Sequence, residues 1–355
     1  MRKLVIDRAA IKNNLTVIKD RAAGAAIYGV LTGDGQGVGA AALAQLLRDE
    51  GIGRFAVSEV SEAEALRQAG FVDEEILMLR ATTDREELER LVDLNVVCTI
   101  SSVDTGLALN AVAENRSTVA EAHIQVDTGM GFGGFLVSEP EKLLLAYRSM
   151  PNVALSGVYT QLHAARPNDP QAKRQLEQFQ LALDAIHQAG FETGVVHAAG
   201  SFALLHGLAP ELDGVRAGSA ILGRCRRTRD DGLKTVGFGQ APLTEVRWLP
   251  KGHVLGVDRP VTLKKPTRVA VLPVGYQNGF GITRPRETGL LAAIARWRKN
   301  NRRTVRLGSQ RSRVLGGLGA SELILDVTDV KCSVGDLATF EIDPLFARGF
   351  QVEFR

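Results

Sequence analysis

The chain has 355 residues, 45% apolar and 23% charged, with a formal net charge of +3. These proportions exclude a disordered, collagen-like or disulfide-scaffold chain, and the length suits two ordinary domains or one large one. No apolar run reaches the ~18 residues of a membrane-spanning helix, and so small a charge does not by itself imply nucleic-acid or membrane binding.

The opening MRKLVIDRAAIKNN has no long apolar stretch and no cleavage site, so it does not read as a signal peptide. From residue 25 onward, short β-rich runs alternate with helical stretches. The strand expectations are Ala25–Thr32, Arg54–Val60, Ile76–Arg80, Val96–Ser101, Ala122–Thr128, Val153–Leu162, Thr193–Ala199 and a short run ending at Arg216. Between them, segments such as AALAQLLRDEG, DREELERLVDLN and KRQLEQFQLALDAIHQAG repeat apolar residues at three- and four-residue spacing, the mark of amphipathic helices. Gly51, Gly70 and Gly190 stand where C-terminal caps are needed. Eight such alternations are the number that closes a (β/α)8 TIM-type barrel, an α/β fold, with a doubly wound open sheet as the rival.

After Gly223 the texture changes. RCRRTRDDGLKTVG is loop-like, and the runs LTEVRWL, HVLGV, RVAVLPVGY, RTVRLG, RVLGG, ELILDVTDV and LATFEI read as short strands, with one helix expected over TGLLAAIARWRKNN. The expected division is a barrel over 1–225, its first few residues free to join the other domain, and a mainly β C-terminal domain over 226–355. Cys98, Cys225 and Cys332 are widely spaced and odd in number, which fits reduced thiols in a cytoplasmic protein.

In such a barrel the reactive groups stand at the carboxyl ends of the strands. That rule selects Thr32–Gly39, Ser58–Glu59, Arg80, Asp127–Gly134, Gln161–His163, His197–Ser201 and Arg216–Ser219. GDGQGVG at 33–39 approximates a dinucleotide fingerprint but lacks its register. His163 and His197 can pair at the barrel mouth, without metal-ligand spacing. Asp34, Asp127 and Thr128 read as turn and loop residues.

Several segments share a source: LVIDRAAIKNNL, QVDTGMGFGGF at 125–135, HAAGSFA at 197–203, VRAGSAILG at 215–223, PVGYQNGF at 273–280 and LILDVTDV at 323–330. In order and spacing they resemble the alanine racemases, pyridoxal-phosphate (PLP) enzymes of the barrel type. The resemblance implies a barrel followed by a β domain and a head-to-tail homodimer. It also implies a lysine that holds PLP as a Schiff base and serves one face of the substrate, with a tyrosine of the second subunit serving the other face.

The departures from that pattern are selective. Thr32 takes the lysine's place, and a hydroxyl cannot form an imine. Gln36, Gln125, Phe132 and Gln161 replace a phosphate-contacting tyrosine, a carbamylated lysine, a substrate-orienting arginine and a histidine. Ala320-Ser321 replaces a Met-Asp pair, and Phe354 aligns with a terminal tyrosine. Tyr276 matches the second-subunit catalytic tyrosine, Arg216 the arginine facing the pyridine nitrogen, and Ser201, Gly218 and Ser219 the phosphate cup.

Each match has a plainer counterpart. Tyr276 needs a cationic neighbour to act as a base, since its ordinary pKa is about 10. Arg216 could instead pair with Glu59, and Ser201 or Ser219 could cap helices. Phe132 could fill the pocket.

The expectation is therefore an alanine-racemase-like, catalytically inactive homologue with an anion-binding pocket. No covalently held cofactor is expected, any PLP being weakly or noncovalently bound, while phosphate or sulfate would fit the cup. The alternative is an active PLP-dependent racemase or isomerase with an atypical site. Homodimerisation and a small anionic metabolite are the expected partners, with no membrane and no nucleic acid. The basic run RWRKNNRRTVRLGSQRSR at 296–313 is expected to be a solvated face or dimer rim; a structural protein acting through it is the third hypothesis.

Overall fold

The computed structural model describes residues 1–163, 169–208, 212–225, 231–256, 260–283 and 303–355. The chain divides into two units, Ala10–Thr235 and Met1–Ala9 with Val236–Arg355.

The first unit is a (β/α)8 barrel. Its strands are Ala26–Val30, Arg54–Val57, Glu75–Met78, Cys98–Ile100, Ala120–Asp127, Val153–Tyr159, Val195–Gly200 and Gly214–Ala217, here called the first to the eighth. Neighbours pair in parallel in that order, and the eighth returns to the first through Gly214↔Ala26 to Ala217↔Gly29. The third and fourth strands meet at one bridge, Leu77↔Val97. Most strand residues are covered on both faces, and runs such as RFAV and EILM are accordingly apolar almost throughout, while the fifth strand, AEAHIQVD, alternates. Tyr28, Ala56, Leu77 and Val97 pack together inside.

The helices form where the sequence supplies a stripe and a cap. Ala40–Asp49 buries Ala40, Leu43, Ala44 and Leu47, one face at helical spacing. Asp84 caps Arg85–Asp93 by accepting the Glu87 N–H at 2.9 Å. Ser102 and Thr105 form a reciprocal capping box on Val103–Asn115, and Asp169 caps Pro170–Gln188. Gly51, Gly70 and Gly190 take positive φ just beyond their helices.

The second unit is mainly β. Its nine-stranded sheet runs Glu245–Leu249, Thr267–Leu272, Leu323–Asp326, Gln310–Leu315, Thr304–Leu307, Leu337–Glu341, Phe238–Pro242, Lys3–Ile6 and Gln351–Phe354. Only the last pair is parallel. Leu249, Leu255, Leu263 and Val269 form a core beneath the Val254–Leu255/Val261–Thr262 ribbon. The helix expected over TGLLAAIARWRKNN, like the first part of the basic run, lies outside the described residues. Among the described residues no helix is long and apolar enough to cross a membrane.

Candidate functional site

The first strand ends in a backbone turn of unusual hand. Gly33, Asp34, Gly35 and Gln36 all lie at φ between 53° and 70°, so the chain makes a left-handed turn directly after Thr32. For Asp34 and Gln36 that conformation costs roughly 1–2 kcal/mol each. Hydrogen bonds offset the cost. Asp34 Oδ1 accepts the Ala40 N–H at 2.8 Å, starting the next helix, and Gln36 Nε2 donates to Thr32 O at 3.0 Å and Thr32 Oγ1 at 3.1 Å. Glu62, on the helix after the second strand, accepts from the N–H groups of Asp34, Ser58 and Glu59 at 3.0, 2.9 and 3.2 Å. One carboxylate thus ties two strand-end loops together. Gly35 is required twice over: its φ is +63°, and a Cβ would stand 2.9 Å from Ala40 N.

Arg216, at the end of the eighth strand, is 4% exposed. Its guanidinium donates to Thr160 O at 2.7 Å, Gln161 Oε1 at 2.9 Å and His197 Nδ1 at 2.5 Å, and lies 5.1 Å from the Tyr159 ring centre. Among the described residues no carboxylate pairs with it. The alternative pairing with Glu59 is not formed; Glu59 stands 3.6 Å from Arg80, which also holds Glu87 at 2.8 Å. Burial pushes the Arg216 pKa down to about 10.

Behind Arg216 the polar groups continue inward. His123 Nδ1 meets His197 Nε2 at 3.0 Å. An arginine only donates, so His197 Nδ1 accepts from it, His197 Nε2 carries the proton, and His123 Nδ1 accepts in turn. Burial first, then the Arg216 charge, pushes His123 down to about 4 and His197 well below the ordinary histidine value. The His197 ring stacks between Tyr28 and Tyr159, centres 5.1 and 5.0 Å away. Tyr159 in turn bonds Thr99 at 3.0 Å, and Tyr28 donates to Glu75 at 2.7 Å. The expected His163–His197 pair is thus replaced by His123–His197. His163 instead donates its backbone N–H to Gln175 at 2.6 Å. Gly157 leaves His123 its space, since a Cβ there would lie 2.6 Å from His123 Nε2.

Beside Arg216, Ser201 Oγ accepts the N–H groups of Gly218 and Ala220 at 3.0 and 3.2 Å. Ser201 therefore braces this loop rather than capping its own helix, Ser201–Leu205. Ser219 is partly exposed. Asp127 accepts the N–H groups of Gly129, Met130 and Gly131, holding the glycine loop. Phe132 at its tip is 77% exposed and does not fill the barrel. Tyr276 belongs to the β unit, opens the turn Tyr276–Asn278, donates its N–H to Gly319 O at 3.1 Å and is 47% exposed. None of the eight strands carries a lysine, nor do the described loops after the first seven or residues 218–225 after the eighth; Lys234 stands further along, between the eighth strand and the β unit. Among the described residues no group of His, Cys, Asp or Glu is arranged to hold a metal ion.

Sequence reasoning missed His123, Gln175 and Glu62. For His123 the available signal was its alternation with Gln125 on one face of a strand.

Comparison with known proteins places these features in a family. Residues 6–225 match the alanine racemase N-terminal domain and residues 239–342 the alanine racemase C-terminal domain. The alanine racemase of Clostridium tetani is 29% identical over 283 residues, spanning 78% of this chain and 72% of that protein. That of Carboxydothermus hydrogenoformans is 31% identical, over 76% of this chain and 74% of that protein. The structure of alanine racemase from Clostridium difficile 630 superposes with a TM-score of 0.87 at 21% identity, covering 100% of this chain and 95% of that one.

Proposed function

Since the chain belongs to the alanine racemase family, we propose that it is a homologue without covalent PLP chemistry that keeps a pocket for a small anion at the barrel mouth. Thr32 at the end of the first strand, with no lysine in any of the eight strands, carries this reading. PLP supplies an electron sink to enzymes that hold it, and holding it covalently takes an amine. Thr32 offers a hydroxyl, and Gln36 already bonds it. The residues do not fit a covalent cofactor, so no step is derived through one.

The anion pocket rests on Arg216. A buried cation whose partners are all neutral is short of counter-charge. A phosphate or sulfate beside the loop at Ser201, Gly218 and Ser219 would supply it. Carbonyl oxygens, Gln161 and His197 orient the guanidinium in advance. The reading includes a cytoplasmic, head-to-tail homodimer, as in the resemblance. The alternative, an active PLP-dependent racemase or isomerase with an atypical site, draws support from Tyr276, which is half-exposed and available to a second subunit.

The test is alanine racemisation by the native protein and by Thr32→Lys. Both are expected to stay near background. Gln36, Gln125 and Phe132 would still stand in place of the tyrosine, lysine and arginine that the resemblance implies, and loss of acid–base help alone typically costs ~10²–10⁴-fold. Robust turnover by either protein would overturn the proposal.

A further inference from the structure

The β unit carries a charged surface that the barrel site does not use. In the hairpin Thr304–Leu307/Gln310–Leu315, Thr304 opposes Arg313 and Arg306 opposes Arg311. Directly opposed residues share a face, as do alternate residues along a strand. Arg306, Arg311 and Arg313 therefore stand together with Thr304 on the exposed face, while Val305, Leu307 and Ser312 are buried on the other. Opposed like charges such as Arg306 and Arg311 are destabilising, and among the described residues no carboxylate forms a close ion pair with these three arginines. Asp326 lies opposite Arg313, but its carboxylate accepts from the Thr328 N–H and hydroxyl at 3.1 and 2.8 Å. The face continues through Thr339 opposite Arg306 and Gln240 opposite Thr339, with the exposed Glu341 two residues beyond Thr339 its nearest acid on that strand. In sequence, residues 288–321 contain no Asp or Glu.

We propose that this sheet face is a docking surface for a nucleic-acid strand, held through its phosphates. The guanidinium positions repeat at about 5 Å across the strands and about 7 Å along them, and guanidinium forks match phosphate oxygens. A phosphodiester strand presents an obligatory charge at every unit. A peptide partner would instead need pockets for its side chains, and a lipid surface an apolar face to insert. Here the arginines stand on a largely polar stretch, with Leu337 exposed at one rim and Leu315 and Ile324 packed into the core at the other. The one aromatic position on the described face, Phe238 two residues from Gln240, is half-buried and away from the arginines, so recognition is of backbone and not of sequence. This goes beyond the expectation of a solvated face or dimer rim, because the register gathers on one face three arginines that the sequence only sets in a row.

Binding of labelled oligothymidylate and oligodeoxyadenylate, followed by fluorescence anisotropy as salt is raised, tests the proposal. Both probes are expected to bind alike at low salt. The log–log salt slope should be steeper by about 2 than that of the triple variant Arg306→Gln/Arg311→Gln/Arg313→Gln, as three phosphate contacts to a single strand require. The corresponding triple lysine variant should keep most of the binding. Arg311→Gln alone should reduce the slope by about 0.7, a second measure should the triple variant fail to fold. Absence of oligonucleotide binding, unchanged binding by the glutamine variants, or tighter binding to polyglutamate or to phosphatidylserine vesicles would overturn it.

Discussion

Arg216 spends its charge on carbonyl oxygens, a glutamine and a neutral histidine, and it does so at 4% exposure. Removing a buried, uncompensated cation while keeping its volume is often neutral or stabilising. Arg216→Met is therefore expected to fold, with its melting temperature within a few degrees of the native protein. It should lose the rise in melting temperature that sulfate or phosphate gives the native protein; thermal melts with and without each anion check this. The place of Arg216 at a strand end was legible in the sequence, because the strand-end rule selects it. Its partners were not. His123 lies 74 positions from His197, and only the inward register of two strands brings them together. His163 and Gln161 drew attention by standing at a strand end, and of these only Gln161 touches Arg216.

At the scale of elements, the alternation of strands and amphipathic helices was legible because both periodicities are written in apolar spacing. Strands ran a few residues shorter than expected: the first stops at Val30 and not Thr32, because left-handed backbone follows. That turn escaped sequence reasoning, since Asp34 and Gln36 do not announce positive φ; only the crowding of Gly33, Gly35, Gly37 and Gly39 hinted at it. Gly35→Ala is expected to cost 1–2 kcal/mol in backbone strain, more once the contact with Ala40 is counted. At about 2–4 °C per kcal/mol for a unit of this size, the barrel's melting temperature should fall by at least ~2 °C. A melt unchanged by the substitution would mean that the turn is not held as described.

For the whole molecule, the buried histidines set a pH dependence. Both have native pKa values below the ordinary 6.5, to about 4 for His123 and well below 6.5 for His197. Between those values and 6.5 the unfolded chain binds protons that the native barrel refuses, so stability is full above pH 6.5 and declines as pH falls. At pH 5 the His123 contribution is on the order of 2 kcal/mol. Glu50 and Glu87, both lowered by basic partners, lose their contributions only at lower pH, near and below the ordinary carboxylate range. Denaturation midpoints should be level from pH 8 to about 6.5 and fall below it, and His123→Gln should flatten that first decline.

The central claim is that this member of the alanine racemase family has no covalent hold on PLP. The most direct measurement is a PLP titration of the purified protein, following the visible imine absorbance and then borohydride trapping with peptide mapping. No saturable imine band and no trapped adduct at a barrel lysine are expected. A stoichiometric adduct trapped on one lysine would contradict it and return the chain to the active enzymes.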